Sequence, residues 1–118
     1  MPVVNFEYTN NLKIGNKINH FMNEVHETLV RIIKTDLYTC RSTITSHDKY
    51  FIGDGDNANA FIQLSVRMLP GRDKATKDKL GNELLTIMKK TFLGESEKLN
   101  TQTRIYLTEV ERDYYYGL

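Results

Sequence analysis

The chain writes one plan twice: a strand-like run, a helix-period apolar stripe, then a second strand-like run. In the first half Val3-Val4-Asn5-Phe6-Glu7-Tyr8 is β-branched and aromatic, the composition of a short strand. From Ile14 the apolar residues fall at Ile14, Ile18, Phe21, Val25, Leu29 and Ile32. Steps of three and four keep them on one face of a helix. Gly15 weakens the first turn, and Thr9-Asn10-Asn11 ahead of it supplies N-cap chemistry. Arg41 to Ser46 is again strand-like. The second half is the clearer copy. Ala60, Ile62, Leu64, Val66 and Met68 alternate with Phe61, Gln63, Ser65 and Arg67, the period of a half-buried strand. Pro70-Gly71 ends it, and Asp73 is placed to cap a helix with Leu80, Leu84, Ile87, Met88 and Phe92 on its apolar face. Gly94-Glu95 is expected to close that helix. A last strand is expected over about Thr103 to Glu111, before an aromatic tail, Tyr114-Tyr115-Tyr116.

Two β-α-β units in 118 residues predict one α+β domain over residues 1–118, with the repeated halves at about 1–50 and 58–112. A strand, helix, strand unit is normally parallel with a right-handed crossover. Both helices should then cover one face of a single sheet. The other face, only partly apolar, is left for solvent or a partner.

Composition excludes several classes. Forty per cent hydrophobic with 26% charged residues is ordinary for a globular chain. A net charge of +1 gives no footprint for nucleic acid. One Cys cannot form an intrachain disulfide, and no apolar run reaches the ~20 residues of a membrane span. The first residues lack the basic and apolar regions of a secretory signal. The expectation is a cytoplasmic protein.

Few residues carry chemistry. Methionine aminopeptidases remove Met1 when the second residue is small. Pro2 would then hold a free secondary amine, with a group pKa near ~7.7–8.0 that burial or nearby cations lower, suited to a general base. Read alone, Pro2 is an ordinary chain start, as it is in most chains that begin Met-Pro. Arg72, between a strand end and a helix start, has the bidentate fork that suits a carboxylate, and read alone it is a surface Arg beside Asp73. Arg41 opens a strand, and Cys40 before it reads as a small buried hydrophobe. His20, His26 and His47 make no metal-ligand spacing, and Asp54-Gly55-Asp56-Asn57 reads as a turn rather than a calcium loop. No phosphate loop or nucleophile elbow is present.

Pro2 opening a strand, the doubled β-α-β plan and Arg72 in its Pro-Gly-Arg turn occur together in one known group. The sequence resembles the tautomerase superfamily, and within it the 5-carboxymethyl-2-hydroxymuconate isomerase family. The strongest stretch runs from Gly53 to Phe92, with Asp54-Gly55, Ala60-Phe61, Gly71-Arg72 and Gly81-x-x-Leu84 in order. Arg41 and Glu109-Val110-Glu111 also fall where that family has them. The resemblance implies a homotrimer packed sheet against sheet, with pockets near subunit boundaries. It implies that Pro2 moves a proton along an unsaturated hydroxy- or oxo-acid such as 5-carboxymethyl-2-hydroxymuconate. Arg41 and Arg72 would hold the carboxylates of this small-molecule substrate, with no metal or organic cofactor. Thr43 stands where the family carries a second Arg, two places after Arg41. Two other readings fit the bare pattern. One is a non-catalytic oligomeric binding protein on the same fold. The other is a ferredoxin-like module, which shares the element order. The 60–68 run lacks the aromatic set that stacks on RNA bases.

Overall fold

A computed structural model describes residues 1–118. Strand β1 is Val3–Thr9, helix α1 Ile18–Ile33, strand β2 Arg41–His47, strand β3 Asn59–Met68, helix α2 Lys74–Ser96 and strand β4 Asn100–Glu109. Single 3₁₀ turns precede α1, precede β2 and follow β4. The sheet order is β2-β1-β3-β4. β1 pairs parallel with β2, β3 pairs parallel with β4, and β1 meets β3 antiparallel in the middle. Each helix therefore joins two directly paired parallel strands. This separates the fold from the ferredoxin-like arrangement, whose β-α-β unit is split by another strand.

The alternation of β3 has the consequence expected of it. Ala60, Ile62, Leu64, Val66 and Met68 are all buried on the helix side. Val4 and Phe6 of β1 lie in register with Val66 and Leu64 and extend the same layer. Phe21, Val25 and Leu29 of α1, with Leu80, Leu84, Met88 and Phe92 of α2, close over it. Three rings meet at the centre. Phe6 lies 5.1 Å from Phe21 and 5.6 Å from Phe92, and Phe21 stands edge-on to Phe92 at 4.9 Å. The opposite sheet face carries Asn5, Glu7, Gln63, Ser65, Arg104 and Tyr106, all half-buried or exposed.

Four local expectations are revised. Thr9 and Asn11 do not cap α1. The Thr9 hydroxyl accepts from the Phe61 N–H at 3.1 Å, and the Asn11 amide donates to the Asn59 carbonyl at 2.9 Å. Both side chains fasten β1 to β3, and α1 starts from a 3₁₀ turn at Lys17 with no side-chain cap. Gly94 does not close α2, which runs on to Ser96. Glu95 in that last turn is held by an ion pair from Lys17, so the turn stays helical. β4 begins at Asn100, because Asn100 takes the ladder position opposite Asn59. It ends at Glu109 rather than Glu111, where the chain turns into the tail. The Asp73 cap is as expected, with its carboxylate accepting from the Thr76 N–H at 2.8 Å.

Removing the central ring should be costly because it leaves a cavity. Phe6→Ala is expected to lower stability by about 3–5 kcal/mol, read from urea denaturation. A second test uses pH. His26 of α1 shares a 2.6 Å hydrogen bond with the Ser42 hydroxyl of β2, and burial holds its imidazole below the ordinary value. The unfolded ring titrates near the ordinary value of about 6.5. Between the two values the unfolded chain binds the extra proton, so acid favours unfolding. Stability is expected to fall as pH drops from about 6.5 through the lowered folded value, and His26→Gln should flatten that slope. Denaturation midpoints on both sides of the window check it, and an unchanged slope in the variant removes His26 as the cause.

Candidate active site

The chemistry-bearing residues gather where β1 and β2 begin and β3 ends. Val3 lies in register with Arg41 on one side and Arg67 on the other. Side chains of one cross-strand row share a face, so both arginines flank Val3 on the face away from the helices. Pro2 sits one residue back. Its ring is buried, and its carbonyl accepts from the Arg41 N–H at 3.2 Å. With Met1 attached, the Pro2 nitrogen is a tertiary amide without a basic lone pair.

The tail reaches the same end. The Val110 N–H donates to the Met68 carbonyl at 2.8 Å, and the Arg112 guanidinium donates to the Pro70 carbonyl at 3.0 Å. A 3₁₀ turn at Arg112–Tyr114 then delivers Tyr115. The result is a cleft of about 270 Å³ lined by Met1, Val3, Thr39, Arg41, Arg67 and Tyr115. Arg67 and Tyr115 were not singled out from sequence. The parity of Arg67 in its strand was the available signal for its face. Sequence marks the aromatic tail but not which tyrosine meets the cleft, because the tail is positioned by bonds to the Met68 and Pro70 carbonyls.

Charge makes this end distinctive. The chain has six arginines. Arg31 pairs with Glu83, while Arg104 and Arg112 donate to the Thr103 and Pro70 carbonyls. Arg72 donates to the Leu69 and Ile33 carbonyls, each at 2.9 Å. Arg41 and Arg67 are the two left without a partner, and both line the cleft. Two unpaired guanidiniums around an open cleft suit an anion, and their fork geometry suits carboxylate.

The structure thus brings Pro2 and Arg41 together but holds Arg72 elsewhere. Its guanidinium ties the strand end to the last carbonyl of α1, that of Ile33, beside Lys34 in its left-handed conformation with φ 56°. A cation at a helix C-terminus meets the negative end of the macrodipole. Thr43 donates to the Asn5 side chain at 2.7 Å, one row along the open face. Cys40 precedes Arg41, and burial pushes its thiol up, away from the thiolate a nucleophile needs.

Other polar groups are engaged locally. The Asp54 carboxylate accepts from the Asp56 N–H at 3.0 Å and the Asn59 amide at 2.9 Å, which makes this loop a turn and holds the carboxyl below its usual range. Gly55 in that turn has φ 80°, and a Cβ there would lie 2.5 Å from the Phe51 ring. His47 pairs with Glu7 at 3.0 Å on the open face. No three His, Cys, Asp or Glu side chains come together as a metal site, and no helix is long and apolar enough to cross a membrane.

Comparison with known proteins agrees with this geometry. The family model for 5-carboxymethyl-2-hydroxymuconate isomerase matches residues 2–116. A 5-carboxymethyl-2-hydroxymuconate isomerase from Deinococcus radiodurans R1 superposes with a TM-score of 0.90 at 18% identity, over 99% of this chain and 88% of that one. A 5-carboxymethyl-2-hydroxymuconate delta-isomerase superposes with a TM-score of 0.86 at 15% identity, over 100% and 87%. A fused 4-OT symmetric trimer gives 0.75 at 15% identity, over 98% and 90%. A search of curated proteins finds no match. With its fold shared by these structures and the family model matched over nearly its whole length, this chain belongs to the 5-carboxymethyl-2-hydroxymuconate isomerase family, isomerases of the tautomerase type.

Proposed function

We propose that this chain, freed of Met1, is a cofactor-independent tautomerase of unsaturated hydroxy- or oxo-di- and tricarboxylic acids such as 5-carboxymethyl-2-hydroxymuconate, with Pro2 as its base. The observation that carries the reading is the unpaired Arg41 guanidinium in a cleft that opens on the chain start, with the Arg41 main chain bonded to the Pro2 carbonyl. Removal of Met1 turns the Pro2 amide into a secondary amine. An α-amino group titrates near ~7.7–8.0, and the neighbouring guanidinium charges favour its neutral form.

The proton transfer balances without a co-reactant. Pro2 takes the proton of the substrate's 2-hydroxyl. The O–H electron pair becomes the C=O bond, the conjugated double bond shifts, and the Pro2 ammonium returns the proton to a carbon of the chain. Arg41 holds a carboxylate and lowers the energy of the dienolate between the two steps. Arg72 serves the same site from its place on the Leu69 and Ile33 carbonyls, by fixing the strand end that carries Arg67.

The reading includes a homotrimer built on the open sheet face. That face has no covering helix, and one structural neighbour is described as a symmetric trimer. A cytoplasmic setting accords with the single cysteine, a free thiol. Retention of Met1 favours the non-catalytic binding protein instead, and intact mass separates the two.

Pro2→Ala is expected to slow ketonisation of 2-hydroxymuconate by about 10²–10⁴-fold with the oligomer unchanged. Full activity in that variant overturns the base assignment. Arg72→Ala is expected to lower stability by about 1–3 kcal/mol with little change in KM, because its bonds run to main-chain carbonyls. A large rise in KM with stability unchanged would instead make Arg72 a carboxylate ligand. Denaturation and steady-state kinetics on one preparation decide it.

A further inference from the structure

The cleft holds a second cation that the proposed chemistry does not yet use. We infer that Arg67 is a carboxylate anchor for the far end of a dicarboxylate, with Tyr115 of the tail as the wall that closes its subsite. The inference deepens the isomerase reading and rests on it for the substrate class.

Arg41 and Arg67 stand on either side of Val3 in one cross-strand row. A strand spacing of about 4.8 Å puts the two arginine positions about 10 Å apart, close enough for their side chains to reach over Val3 to the two ends of one short diacid. Two like charges on one sheet face gain from a counter-charge that both can share. No acid supplies one: Glu111 and Asp113 of the tail make no ion pair with either arginine, Asp36 accepts from the Tyr38 N–H, and Glu109 pairs with Lys77. An arrangement that keeps two guanidiniums free and adjacent is built for an external anion with two acidic ends.

The tail gives the subsite its shape. Its main-chain and Arg112 bonds to the Met68 and Pro70 carbonyls anchor it just past Arg67, so Tyr115 lines the cleft. Tyr115 is 45% exposed, against 85% for Tyr116 beside it. The Tyr115 ring is the only aromatic wall of the cleft.

Two probes of equal length isolate the second carboxylate: trans,trans-muconate, a six-carbon diene with an acid at each end, and sorbate, the same diene with one. Binding of each is measured by calorimetry, without turnover, to the protein and to Arg67→Ala, Arg67→Lys and Tyr115→Ala. The protein is expected to bind muconate more tightly than sorbate. Arg67→Ala should weaken muconate about 10–100-fold, the loss of a charge-assisted bidentate contact. It should leave sorbate within about twofold and the oligomeric state unchanged, because the Arg67 side chain makes no hydrogen bond or ion pair within the chain. Arg67→Lys, which keeps the charge and loses the fork, should fall between. Tyr115→Ala should weaken both probes by about 2–10-fold.

Equal loss of both probes in Arg67→Ala, no loss of either, or no muconate binding by the unaltered protein each overturns the anchor. The proposed function fails separately. If the protein discriminates the probes through Arg67 yet ketonises no 2-hydroxymuconate, the anchor stands and the isomerase reading falls. If turnover depends on Pro2 and the discrimination ignores Arg67, the reverse holds.

Discussion

The antiparallel pairing of β1 with β3 sets the core and the site through one register. Val4 opposite Val66 and Phe6 opposite Leu64 put two apolar rows under the helices. The same register puts Val3 opposite Arg67 on the other face. A slip of one residue would turn every side chain of a strand to the wrong face, exposing Phe6 and burying Glu7 or Arg67. Burial of the aromatic centre therefore fixes where the arginines stand. Parallel pairing of β2 with β1 adds Arg41 to the same row. The cleft is a by-product of core packing that no local motif has to specify.

That dependence explains what the sequence made legible. The alternation at 60–68 and the apolar stripes were strong enough to place β3, both helices and the two-unit sheet, because buried periodicity is what the fold selects for. The Asp73 cap was readable for a local reason, its carboxylate reaching the N–H three residues on. The failures came where a side chain found a distant partner. Thr9 and Asn11 have capping chemistry, yet β3 offers them buried backbone groups to satisfy. Gly94 has helix-ending chemistry, yet Lys17 from the 3₁₀ turn before α1 holds the turn that contains it. In each case a contact between residues far apart in sequence outweighed a local preference of about 1 kcal/mol.

The site divides along the same line. Pro2 is readable as a candidate because it follows Met1, and Arg41, which lines the cleft, because it opens a strand. Arg72 was readable as a candidate by its turn, but which carbonyls its fork meets depends on where α1 ends. Arg67 and Tyr115 become cleft residues only through pairing across the sheet and through a tail folded back on Met68 and Pro70. The near-zero net charge concealed this as well. Sixteen basic residues against fifteen acidic ones leave +1 overall, and the surplus that matters to a ligand is local. Four arginines find acids or carbonyls within the chain, and the two that do not share one cleft.

The chain start shows how little would have to move for the proposed base to be freed. Pro2 is held by its buried ring and by the Arg41 N–H on its carbonyl. Met1 adds one long contact, a 3.5 Å hydrogen bond from the Thr35 hydroxyl to its carbonyl. Cutting the Met1–Pro2 bond therefore removes a cleft-lining residue and leaves the β1 ladder whole. The nitrogen it would free lies one residue before Val3, whose cross-strand row carries the two unpaired arginines, on a strand whose register the core has locked. Preorganisation of this kind costs no reordering at the moment of reaction, because the packing that orders it is already present in the folded chain.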